Sequence, residues 1–189
     1  VAVQRNHPAT AQAIQEAHPD AVVLAVGATP TVPPVAGMDS PKVVDCVTAL
    51  TGADLPGQRI LVVGGGLVGC ETALGYAQAG KTVTIVEALP DILSAGIPVP
   101  EMNASMLRDL LAEWKVTLRT GCRLAQVTAE GAVVTGPQGE ETLPADHVVL
   151  AVGFPPRPSL AGELAGTGME VYQVGDGSKV GSVMTAIAS

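Results

Sequence analysis

Aromatic residues are nearly absent from this 189-residue chain, which has one Trp, one Phe and two Tyr. A core without aromatic bulk must be filled by Val, Leu, Ile and Ala, the usual filling of a parallel sheet covered on both faces by helices. Positive charge is also scarce, with 10 Lys and Arg against 18 Asp and Glu and a net charge of −8. Basic residues form no cluster, which argues against nucleic acid and against an anionic membrane surface as partners. No apolar run approaches the roughly 20 residues that span a bilayer. No signal-peptide pattern is present, so a cytoplasmic location is expected. Cys46, Cys70 and Cys122 fit no CxxC pair, zinc spacing or iron–sulfur ligand run, so no metal site is expected.

What is present is a strand written twice. "DAVVLAVGATP" at Asp20–Pro30 returns as "DHVVLAVGFPP" at Asp146–Pro156. Before the first copy, residues 9–17 read as a short helix. After it, residues 27–59 are rich in Pro and Gly, an extended crossover with a short helical piece near Cys46–Thr51. The stretch "RILVVGGGLVGCETALGYAQAGKTVTIVE" reads as strand, glycine turn, helix and strand, with the helix Leu67–Gln78 stopped by Gly80. A second amphipathic helix follows, with Met102, Met106, Leu110 and Trp114 spaced as its apolar face. "RLAQVTA", "GAVVTG" and "ETLPA" predict a three-stranded β-meander. The tail "EVYQVGDGSKVGS" predicts one more strand, ending at Gly175-Asp176. The chain begins at Val1, and "VMTAIAS" at its end reads as a helix just starting, so a piece of a larger protein is expected.

The chemistry lies in Gly64-x-Gly66-x-x-Gly69, between a strand and a helix, with Glu87 ending the next strand 18 positions past Gly69. Gly64 permits a tight turn, with Gly65 beside it. Gly66 lets backbone approach a pyrophosphate, and Gly69 lets the helix pack on the strand. The pyrophosphate is expected at the helix N-terminus, near the amides of Leu67 and Val68. Glu87 can accept both adenosine ribose hydroxyls and would repel a 2′-phosphate. Residues 88–91 carry no positive charge, so NAD (as NADH) is expected over NADP. No Tyr-x-x-x-Lys pair follows Tyr76 or Tyr172, so no catalytic residue is assigned within the chain. Cys70 lies in the first turn of the dinucleotide helix, where a helix dipole lowers a thiol pKa, but a packing role beside Gly69 is favoured. His7, His18 and His147 stand apart from one another in sequence, and surface or loop roles are expected for them.

The arrangement resembles the two-dinucleotide-binding flavoproteins, and more closely the C-terminal FAD/NAD(P)-binding half of old yellow enzyme-type NADH:flavin oxidoreductases, the 2-enoate and 2,4-dienoyl-CoA reductases. "DAVVLAVGATPTVPPVAGMD", "GGGLVGCETA" and "VYQVGDG" carry the resemblance. It implies an α/β fold, a Rossmann-like dinucleotide-binding domain with the meander, flanked by partial FAD-domain segments. Residues 1–56 would be partial FAD domain and crossover, 57–152 the NAD-binding domain, and 153–189 the return to the FAD domain. It implies nucleotide contacts at Gly27, Val152, Gly153, Gly175 and Asp176, with Asp176 near the flavin nucleotide. Electrons would pass from NADH to FAD, then through a 4Fe–4S cluster and FMN outside this chain, to an activated alkene. The partners implied are the N-terminal part of the same polypeptide and a small-molecule substrate, and the chain alone would be inactive. A non-catalytic nucleotide-binding module, and the NADH domain of a ferredoxin or disulfide reductase, stay open as alternatives.

Overall fold

The computed structural model describes residues 1–52 and 54–188, which divide into two compact units. The larger, Pro30–Gly153, is built on five parallel strands in the order β2 (Val43–Asp45), β9 (His147–Leu150), β3 (Arg59–Val63), β4 (Thr82–Glu87), β5 (Thr117–Thr120). Residues 30–56, which read as crossover in sequence, give this unit strand β2 and helix α2 (Cys46–Leu50). Asp45 caps α2, its Oδ1 accepting the amides of Val47 and Thr48.

The central strands are apolar because both faces are covered. Leu61 and Val63 of β3, Val86 of β4, and Val148 and Leu150 of β9 pack with Val127, Ala132 and Val134 of the meander. Ile60, Val62 and Ile85, which alternate with them, are buried on the opposite face. There helix α3 (Leu67–Gln78) packs on β3 and β4, and α4 (Glu101–Glu113) packs on α3. The meander is the antiparallel sheet β6 (Arg123–Val127), β7 (Gly131–Gly136), β8 (Gly139–Pro144), as the sequence predicts.

Helix α4 departs from expectation. Its buried residues are Leu107 and Leu111, whereas Met102 and Met106 are exposed and Trp114 is 44 % exposed. The apolar positions of this helix form two neighbouring i, i+4 rows, and α3 takes the row one position further round.

The smaller unit comprises Val1–Thr29 and Phe154–Ser189. In it β1 (Ala21–Leu24) pairs in parallel with β10 (Glu170–Gln173). Helices α1 (Ala11–Glu16), α5 (Ala161–Leu164) and α6 (Val183–Ile187) complete it, with Ser189 of the final stretch outside the described residues. The repeated strands therefore serve different sheets: β1 is one half of a pair, and β9 sits inside the five.

Asp146, the acidic residue that opens the second copy, locks β9 to β3. Its Oδ2 accepts the amides of Gln58 and Arg59, and its Oδ1 meets the Arg59 guanidinium at 2.6 Å. The side-chain and backbone donors of Arg59, then the Gln58 amide, hold the carboxyl well below the usual carboxylate range. A depressed carboxyl stabilises the fold above its unfolded pKa, near 3.8, and that contribution is lost as pH falls through the lower folded value. Unfolding of Asp146→Asn should therefore show a shallower loss of stability between about pH 5 and pH 2 than the unaltered chain. Parallel pH profiles for the two proteins would remove Asp146 as the source.

Candidate functional site

The glycine turn lies where the strand order reverses, at the carboxyl ends of β3 and β9, the crevice in which open α/β sheets bind ligands. Gly64 leaves β3 with φ +109 and donates its N–H to Val86 O at 2.8 Å. A Cβ at Gly64 would overlap the carbonyl oxygen of Ala151, just past β9. A Cβ at Gly69 would overlap the carbonyl oxygen of Gly64. These two glycines exist because three backbones meet with no room for a methyl group. Gly66 differs: a Cβ there would meet nothing within 4 Å, and φ −71 and ψ −176 are open to any residue. No side chain caps the N-terminus of α3, so its first amides, with Leu67 at the rim, form a donor set with positive potential.

Glu87 ends β4 beside this turn. Its Oε2 accepts the Gly65 amide at 2.6 Å and its Oε1 accepts the Leu89 amide at 2.7 Å. A carboxylate has about four lone-pair directions, so two remain for further donors such as ribose hydroxyls. Glu87 thus has a structural duty that its sequence position does not reveal. The Gly65 carbonyl is held as well, accepting from Leu93 N–H at 2.7 Å and from the Cys70 thiol at 3.3 Å.

The structure adds Arg108 to the site. Residues 88–91 carry no cation, yet α4 brings the Arg108 guanidinium onto Asp91 at 2.8 and 2.9 Å and onto the Ile92 carbonyl at 2.8 Å. Nothing local in sequence signals this, because the pair is separated by 17 positions and depends on how α4 packs.

Val152 adjoins the turn, its amide near Gly64, and is 38 % exposed; Gly153 follows with φ +102. Gly27, Gly175 and Asp176 come together in the other unit. There they line an open cleft of about 330 Å³ with Ala25, Val174 and Ser182, at the small end of cofactor-sized sites. Asp176 Oδ1 accepts the Gly181 amide at 3.0 Å. The candidate residues therefore form two groups, one in each unit.

Cys70 is fully buried, and burial pushes its thiol up to about 12. Packing, not reactivity, is its role. Cys46 and Cys122 are also buried and free. The described residues contain no group of three or more His, Cys, Asp or Glu able to hold a metal. Of the histidines, His147 sits in β9 with a buried Nδ1 that makes no hydrogen bond.

Two outcomes follow from this geometry. Gly69→Ala should cost about 1–3 kcal/mol or more by forced overpacking, while Gly66→Ala should stay within about 0.5 kcal/mol. Urea unfolding of both variants tests the difference, and equal losses would contradict the packing described. The native chain should resist thiol reagents near neutral pH and react at all three cysteines once unfolded. Rapid native labelling at Cys70 would refute its burial.

Residues 3–180 match the family model described as pyridine nucleotide-disulphide oxidoreductase. The chain is 35 % identical over 189 residues to a cinnamate reductase of Clostridium sporogenes, covering all of this chain and 28 % of that protein. It is 34 % identical over 180 residues to a bilirubin reductase of Mediterraneibacter gnavus, covering 93 % of this chain and 27 % of that one. Among solved structures, 2-naphthoyl-CoA reductase in complex with 2-naphthoyl-CoA superposes with a TM-score of 0.85 at 30 % identity, over 96 % of this chain and 27 % of that one. The chain spans just over a quarter of the length of these relatives. The mixed α/β fold, the glycine turn at the switch point and the match over nearly the whole length agree: this chain belongs to the pyridine nucleotide-disulphide oxidoreductase family.

Proposed function

We propose that the chain is the NADH-binding part of a flavin-dependent reductase that passes hydride from NADH to FAD, with an activated alkene as final acceptor. The observation that carries this is Gly66, a glycine that no protein contact requires, at an uncapped helix N-terminus beside Glu87. A pyrophosphate would lie on the amides of Gly66, Leu67 and Val68, and Glu87 would take the adenosine ribose on its remaining lone pairs. The cleft at Gly27, Gly175 and Asp176 would hold part of FAD. Nicotinamide and flavin supply the redox chemistry, and this chain binds and orients them.

The alkene acceptor is supported by the names of the relatives, a cinnamate reductase and a 2-naphthoyl-CoA reductase. An enoate or an unsaturated acyl-CoA is the substrate class. FMN and a 4Fe–4S cluster belong to the same proposal, as groups held by further polypeptide, which is also the proposed partner. No thiol of the described residues forms a redox pair, since all three are buried and free. No helix of the described residues is long and apolar enough to cross a membrane; a cytoplasmic site of action is part of the proposal.

Titration of the purified chain should show NADH binding at least about tenfold tighter than NADPH, because a 2′-phosphate would meet the Glu87 carboxylate. Glu87→Gln should narrow that gap while keeping one oxygen for the Gly65 amide. Exchange for Arg is the poorer test, as it also removes that acceptor. Gly66→Ala should abolish binding of both dinucleotides without unfolding the chain. Tighter NADPH binding in the unaltered protein would end the assignment of Glu87.

A further inference from the structure

We propose that Arg108 is a positioning residue for the dinucleotide: from α4 it clamps the loop 88–94, and the loop aims the peptide between Gly65 and Gly66. The inference rests on the dinucleotide reading above and deepens it.

The chain of contacts is short. The guanidinium grips both oxygens of Asp91 and the Ile92 carbonyl. Asp91 Oδ1 also accepts the Ile92 amide at 2.9 Å. Between these holds, Ile92 is fully buried, and a Cβ at Gly65 would lie only 2.8 Å from its Cγ2. The next residue, Leu93, donates its amide to the Gly65 carbonyl at 2.7 Å.

Leu93 makes that bond from φ +58, a left-handed conformation costly for a branched apolar residue. Such a conformation persists where the surroundings over-determine it, and the Arg108 clamp one and two residues earlier is that constraint. The peptide plane then transmits it. The Gly65 carbonyl and the Gly66 amide share one rigid unit and point in opposite directions. Fixing the carbonyl on Leu93 therefore fixes where the Gly66 N–H points.

The ion pair is exposed, at 38 % for Arg108 and 58 % for Asp91, so it contributes little to global stability. A residue that only stabilised the surface would leave ligand affinity alone. The two roles are thus separable by measurement.

The experiment compares Arg108→Gln and Asp91→Asn with the unaltered chain, using NADH and ADP-ribose as probes, both of which carry the pyrophosphate. Each variant should weaken both ligands by about tenfold with an unchanged unfolding midpoint. Arg108→Lys, which keeps the charge but not the two-pronged grip, should recover only part of the affinity. In ligand-free protein, hydrogen exchange should quicken at the Leu93 amide while the meander strands stay protected. Unchanged dissociation constants in both variants would overturn the inference, as would a weakening that only follows a lowered midpoint. Failure of the unaltered chain to bind either probe would instead overturn the dinucleotide reading, and this inference with it.

Discussion

Three stretches of backbone converge on the glycine turn: the end of β3, the first turn of α3 and the residue after β9. Gly69 lies against the Gly64 carbonyl, and Gly64 lies against the Ala151 carbonyl, with no space for a side chain at either. Everything else in the larger unit is arranged around that approach. The helix reaches the sheet only because Gly69 lacks a Cβ, and the crevice for a ligand exists because β4 and β9 leave β3 on opposite sides. Polar groups then fill in what packing leaves unfixed, with Glu87 and Leu93 holding the two ends of Gly65.

The same device recurs away from the site. The stretch 30–56 of the larger unit carries five prolines, which have no amide to donate, and side chains help to tie this part of the chain down. Lys42 donates to the carbonyls of Ala129 and Ala145, and Lys81 donates to those of Leu55 and Gly57. Asp146 does the converse, accepting two amides and a guanidinium. A chain with 15 % charged residues uses several of them as substitutes for missing backbone pairs.

The repeated stretch shows how far local pattern reaches. Both copies become strands followed, three residues past their ends, by a glycine of positive φ, Gly27 and Gly153, and then by a proline-bearing exit. The pattern does not say which sheet each strand joins. In the smaller unit the two exits lie against each other: Ala28 bridges Pro156, and the Thr29 amide donates to the Pro155 carbonyl. That pairing joins residues more than 120 positions apart, as counted from their numbers, and no window along the sequence contains it.

What the sequence determined by itself was whatever depends on neighbouring residues. It carried the strand–turn–helix around Gly64, the bounds of α3, the three meander strands and the placement of Glu87 at a strand end. These follow from alternation, glycine punctuation and helical period, all short-range properties. Strands β2 and β5 escaped notice because they are three and four residues long, half-buried or exposed, and exist as strands by pairing with β9 and β4. The buried row of α4, the second duty of Glu87 and the reach of Arg108 to Asp91 were decided by tertiary packing. Each depends on which face one element presents to another, and the physical cause is distance in space between groups that are far apart in sequence.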